Sequence, residues 1–228
     1  MIAELSNICM IYEQPGTLIR NQVLDDISIS VSADESLAIT GPSGSGKSTL
    51  LNILGTLDQP TTGTVKLNGI LPGKLDAFSL AELRNTYLGF VFQTHHLLPQ
   101  LSLLENILLP TMVLKDKSLK HESKSRAVGL IDRIGLQNHI NHKPFQLSLG
   151  ECQRAAVVRA LINQPRLLLA DEPTGSLDSV NADQLVQLLL DLKKEQQFSM
   201  VIVTHSMELA ARMDKIYRLE LGKIRQSK

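Results

Sequence analysis

The sequence predicts an α/β fold: a parallel-sheet core with an N-terminal antiparallel β region ahead of it and a helical subdomain inserted in it. Three observations carry this expectation. From residue 166 onward, short apolar runs alternate with longer helix-patterned runs. A glycine-rich loop at 41–48 lies between an apolar run and a helix-forming run. From 99 to about 160 the pattern is mostly helical and breaks the alternation.

Taken in order, residues 5–12 and 23–31 read as strands, the second with partial alternation. Ser36-Leu37-Ala38-Ile39-Thr40 is an apolar strand that runs into the glycine loop, and 49–54 reads as the helix after it. Pro60-Thr61-Thr62-Gly63 marks a turn, 64–67 a strand, Asn68-Gly69 a second turn, and 88–92 another strand. Ala127, Val128, Leu130, Ile131 and Ile134 contain an i, i+3, i+4, i+7 stripe, so one face of that helix is expected to be buried. A helix from 147 runs through Val157 and Ala160. Strand 166–170, helix 180–195, strand 200–204 and helix 207–212 follow. No linker signal divides the chain. One domain over 1–228 is expected, with the helical subdomain at roughly 99–160.

The 228 residues, 43% of them hydrophobic, suffice for one large core. Lysine plus arginine and aspartate plus glutamate are equal at 23 each. No basic surplus points to nucleic acid, and none is expected as a partner. Cys9 and Cys152 lie far apart without metal-ligand spacing, which suits free thiols in a reducing compartment. The opening Met1-Ile2-Ala3-Glu4 lacks a basic stretch, so no secretory signal is expected. No run approaches the ~18 apolar residues needed to cross a bilayer.

Gly41-Pro42-Ser43-Gly44-Ser45-Gly46-Lys47-Ser48 fits G-x-x-x-x-G-K-[ST] with no mismatch, in the strand–loop–helix context that this phosphate-binding loop requires. Its backbone N–H groups converge on an anion and the helix N-terminus adds its dipole. Lys47 can reach the β- and γ-phosphates and Ser48 can hold Mg²⁺. This places the core among the P-loop NTPases.

Further along, Leu167-Leu168-Leu169-Ala170-Asp171-Glu172 is an apolar strand ending in two carboxylates. Asp171 is placed to complete a Mg²⁺ shell and Glu172 to polarise a water aimed at the γ-phosphate. Gln93 follows the 88–92 strand, where an amide can touch both Mg²⁺ and that water. His205 ends the next apolar strand and can hydrogen-bond the γ-phosphate. Ser148, with Glu151 three residues on, makes a capping box or a second phosphate-binding helix N-terminus; both readings stand. His139 and His142 lack a third ligand and read as surface histidines.

These motifs, in this order, resemble the ATP-binding-cassette (ABC) ATPase family over nearly the whole chain. The phosphate loop, Gln93, the signature 147–151, Asp171-Glu172, Ser176-Leu177-Asp178 and His205 carry the resemblance. It implies that Tyr12 stacks on adenine, that 41–49 through Thr49 bind the phosphates and Mg²⁺, and that Ser148, Gly150 and Glu151 contact ATP. Glu172 is the implied catalytic carboxylate, and Gln93 and His205 act with it. Ser48, Gln93 and Asp171 are the implied metal residues. ATP and Mg²⁺ are the expected cofactors. A second copy, head to tail, and membrane permease subunits are the expected partners.

One position departs from the family. Leu149 stands where the signature usually has glycine, and leucine cannot take glycine-only backbone angles. Either the backbone there is ordinary helix, or this copy is slow. Glu82-Leu83-Arg84-Asn85, His95-His96-Leu97-Leu98-Pro99 and Leu104-Glu105-Asn106 further resemble the ATPase subunit of the bacterial lipoprotein-releasing transporter. That resemblance implies a peripheral protein at the cytoplasmic face of the inner membrane. Macrolide-efflux and cell-division relatives share part of this pattern and remain the alternative. Residues 95–99 read as an exposed apolar docking ledge, or as core if Leu97, Leu98 and Leu101 are buried.

Overall fold

The computed structural model describes residues 1–13, 20–114 and 116–228. β1 (Ala3–Glu13) pairs antiparallel with β2 (Arg20–Val31) on one edge and β4 (Thr62–Leu67) on the other. Ala3, Leu5, Ile8 and Met10 of β1 face inward, with Leu24, Ile27 and Ile29 of β2. Asn7 and Asp26 have positive φ of 51° and 54°, and Asn7 Nδ2 donates to Asp26 Oδ1 at 2.8 Å. This local crossing accommodates the register shifts in β1. Asn68 and Gly69, φ 49° and 78°, close the expected tight turn after β4.

The main sheet adds β3 (Ser36–Thr40), β5 (Leu88–Val91), β6 (Leu167–Asp171), β7 (Ser199–Val203), β8 (Lys215–Glu220) and β9 (Lys223–Gln226). Its order is β5-β6-β7-β3-β8-β9, parallel throughout except for the β8–β9 hairpin. The apolar runs in the sequence are explained by burial on both faces. Leu167 and Leu169 of β6 join Leu37, Ile39, Val201 and Val203 on the face toward the antiparallel sheet and α1 (Lys47–Leu54). Leu168 and Ala170 join Ala38, Met200 and Ile202 on the other.

That second face is covered by α5 (Leu149–Leu161) and α6 (Ser179–Gln196). The helices α3 (Leu103–Leu108) and α4 (Lys117–Arg133) pack onto α5, with 3₁₀ turns at Leu109–Val113, Gln137–His139 and Pro144–Gln146. On α4 the buried positions are Ser123, Ala127, Leu130 and Ile131, continued by Ile134, while Val128 is exposed. The expected i, i+3, i+4, i+7 stripe, Ala127, Leu130, Ile131 and Ile134, is therefore the buried face. Two helices complete the fold: α2 (Ala77–Tyr87) before β5 and α7 (Met207–Ala211) before β8. Cys9 and Cys152 are unpaired.

Candidate nucleotide site

The phosphate loop leaves β3, whose backbone is held on both sides by β7 and β8. Two glycines in it are required by geometry. Gly41 has φ 152°, and a Cβ there would lie 2.1 Å from the Leu219 carbonyl oxygen. Gly46 has φ 96°, and its Cβ would meet Val23 Cγ1 at 2.8 Å. Lys47 opens α1 and is buried, its Nζ donating to the carbonyls of Gly41 at 3.0 Å and Pro42 at 2.9 Å. The ammonium is thus satisfied by loop oxygens that phosphate oxygens can replace. Ser43, Gly44, Gly46, Lys47, Ser48 and Thr49 share the wall of a 540 Å³ cavity with Val23, Gln93, Glu172 and His205.

The far wall comes from three distant segments. Asp171 ends β6 and Glu172 follows with φ 45°, a left-handed backbone unusual for a non-glycine residue. Its N–H donates to Val203 O at 2.9 Å, so the strand's neighbour fixes the turn. The Glu172 carboxylate receives His205 Nδ1 at 2.9 Å and the His205 backbone N–H at 3.3 Å. The Glu172 side chain is 16% exposed and the imidazole 71%. Burial pushes the Asp171 carboxyl above its usual range; the Ser48 hydroxyl opposes this, Glu172 adds to it, and Lys47 opposes it. Asp171 Oδ1 is buried without a partner. Asp171, Ser48 and the Gln93 amide form an all-oxygen donor set of the kind Mg²⁺ takes, and the unpartnered oxygen fits a cation.

Other expected residues lie elsewhere. Tyr12 is half-exposed at the end of β1 and donates its hydroxyl to Asp58 Oδ2 at 3.1 Å; it does not line the cavity. Ser45 lies in the loop with its buried hydroxyl unpartnered. Pro42 contributes its carbonyl to Lys47. Ser148, Gly150 and Glu151 are also absent from the wall. They form the start of α5, where the capping box is present: Ser148 Oγ accepts from the Glu151 N–H at 3.3 Å, and Glu151 Oε2 accepts from the Ser148 N–H at 2.7 Å. The Ser148 backbone and hydroxyl donors hold the Glu151 carboxyl below its usual range. Leu149 is the first helical residue, without positive φ, and is 46% exposed. It needs no glycine-only angle. A Cβ at Gly150 would lie 2.6 Å from Asn181 Oδ1 of α6, so the Asn181 side chain would have to shift to admit one.

The ABC transporter family model matches residues 24–175. The chain belongs to the ABC transporter family. As its ATP-binding domain, it is an ATP-hydrolysing cassette. Two solved structures of the cassette MJ0796 are similar to it over 99% of both chains. One, a dimeric post-hydrolysis state bound to ADP and Pi, is 35% identical with a TM-score of 0.86. The other, a dimeric bacterial ABC transporter cassette, is 36% identical with the same score. The cbiO1 protein from Clostridium perfringens, part of the ABC transporter complex cbiONQ, shares the fold at 23% identity and a TM-score of 0.85. There, 98% of this chain and 86% of that one align.

Sequence reasoning missed Val23 on the cavity wall, Asp58 beside Tyr12, and Gln153 in α5. Gln153 had a usable signal: it lies three residues after Gly150 and four before Val157, on the buried stripe of an apolar helix face.

The expected ledge at 95–99 is corrected in part. Leu97 is buried in the core and Leu98 is 42% exposed. Beside it runs a 370 Å³ groove lined by Arg84, Asn85, Phe90, Phe92, Pro110 and Arg159 among others. No helix among the described residues is long and apolar enough to cross a membrane.

Proposed function

We propose that this cassette is the energising subunit of a membrane transporter, working as a head-to-tail pair in which each nucleotide is held between two copies. The observation that carries this reading is the incomplete cavity. The phosphate loop, Gln93, Glu172 and His205 line one cavity, whereas the start of α5 lies off it with Leu149 turned to solvent. A second copy supplying Ser148, Gly150 and Glu151 would close the site, and the similar cassette MJ0796 is dimeric with ADP and Pi. In this reading Mg²⁺ is held by Ser48, Gln93 and Asp171, and Tyr12 stacks on the adenine. Glu172 accepts a proton from the attacking water. His205, already bonded to Glu172, orients that carboxylate and meets the γ-phosphate.

One domain spans 1–228, with 99–160 as its helical arm. The groove along Phe90, Phe92 and Arg159 suits a short helix of a permease subunit. In this reading the protein sits peripherally at the cytoplasmic face of the inner membrane. The cargo reading favoured by the sequence is release of lipoproteins from that membrane.

The test of the pair is Glu172→Gln with Mg·ATP in size-exclusion chromatography with light scattering. The expected result is a stable dimer with hydrolysis reduced at least ~100-fold. A folded variant that binds ATP and stays monomeric refutes the pair. For the cargo, the cassette reconstituted with its permeases in proteoliposomes is expected to release an acylated protein on ATP hydrolysis. Stimulation by macrolides instead would assign the efflux branch.

A further inference from the structure

Gln153 is fully buried in α5, and its Nε2 donates to two carbonyls from different parts of the chain. One is Phe92 O at 2.8 Å, the residue before Gln93. The other is Pro173 O at 3.0 Å, the residue after Glu172. The orientation of the amide is fixed by these partners, since the flipped amide would set an oxygen against two carbonyl oxygens. Its own Oε1 is buried and has no donor. A side chain kept for packing alone would not leave a buried oxygen unpaired; leucine or methionine would avoid that penalty but would leave the Phe92 and Pro173 carbonyls without their donor.

The same helix grips the Gln93 segment a second time. Arg159, largely buried, donates to His95 O at 2.7 Å and His96 O at 2.6 Å. Burial holds its guanidinium below the usual range. Arg159 touches only the Gln93 side. Gln153 alone, among the described residues of α5, bonds both sides.

We infer that Gln153 is a positioning residue that yokes Gln93 and Glu172 to the helix beginning at Ser148, so that both γ-phosphate groups keep one spacing. The inference rests on the assignment of Gln93 and Glu172 to the γ-phosphate. Ground-state ATP binding does not need it, because the phosphate loop is built by β3 and α1, and neither bonds Gln153. Misplacing a water-orienting pair by a fraction of an ångström lowers turnover and leaves affinity intact.

The experiment compares Gln153→Met, which keeps the volume and removes both donors, with Gln153→Lys, which keeps donors toward both carbonyls. ATP affinity is read by calorimetry on the isolated chain, kcat and KM by phosphate release, and folding by thermal melt. Met is expected to lower kcat tenfold or more, with ATP affinity and KM within about threefold. Lys is expected to recover at least a third of wild-type kcat. A folded Met variant with kcat within twofold of wild type overturns the inference, as does a loss of affinity parallel to the loss of kcat. If Met fails to fold, Lys decides: a folded Lys variant more than tenfold slower than wild type is the overturning result. Glu172→Gln serves as the reference. If it hydrolyses ATP normally, the γ-phosphate assignment itself fails; if it is inactive and Gln153 is neutral, only the yoke fails.

Discussion

The two walls of the nucleotide cavity are made in opposite ways. The phosphate-loop wall is local: eight consecutive residues, fixed by one strand and one helix, present backbone and a single lysine. The γ-phosphate wall is assembled from Gln93, Glu172 and His205, three side chains after three separate strands, held by bonds such as Glu172–His205. A local wall binds whatever the rest of the molecule does. An assembled wall depends on how well distant elements are registered, and so it can be switched.

Opposed substitutions sharpen that contrast. On the assembled wall, Glu172→Gln should leave binding and remove hydrolysis. On the local wall, Lys47→Ala should weaken ATP binding directly. Losing one charge-assisted contact costs about 2 kcal/mol, roughly 30-fold in Kd. Calorimetry on the isolated chain measures it. Undiminished affinity would mean that the loop backbone alone holds the phosphates and that the contrast is drawn in the wrong place.

The same division explains what could be read from the sequence. The phosphate loop was legible because its geometry depends on residues adjacent to it. The acidic pair after β6 was legible because a buried apolar strand announces its end. Gln153 was legible only as a position on the buried stripe of α5; its bonds were not, because their partners Phe92 and Pro173 lie sixty-one residues before and twenty after it. Elsewhere, α2 was missed because its apolar positions, Leu80, Leu83 and Tyr87, are sparse and only half-buried. The hairpin of β8 and β9 was missed because charged residues alternate with only Ile216 and Leu219 fully inside, on the sheet's edge. The bond from the Tyr12 hydroxyl to Asp58 was not legible either, because the two lie forty-six residues apart.

Asp171 lies at the seam between the two walls, and its titration provides the next test. Its carboxyl is raised above the usual value by burial first. Below the unfolded pKa both states carry the proton and there is no penalty. As pH rises through the folded pKa the ligand-free fold must hold a partly desolvated charge, and stability falls. Above the folded pKa that penalty is fully present. Asp171→Asn should therefore raise the melting temperature of the ligand-free protein slightly. It should also abolish the extra stabilisation that Mg²⁺ adds to ATP. A lower ligand-free melting temperature, or an unchanged Mg²⁺ increment, would place the cation elsewhere.

The smallest expected effect concerns Leu149, and it asks whether the departure from the family signature changes the chemistry. The residue is the first of α5, in ordinary helical geometry, with 46% of its surface exposed. Glycine there would gain no angle that leucine is denied. It would lose helix propensity, about 0.5–1 kcal/mol, less at a first-turn position where the backbone is already capped by Ser148. Leu149→Gly should therefore change the ATPase rate less than about threefold and lower the melting temperature by a few degrees at most. A rise of tenfold or more, about 1.4 kcal/mol of barrier, would show that the leucine side chain obstructs the approach of the second copy. The obstruction would then lie between copies and not in the backbone, because Leu149 already has ordinary helical geometry.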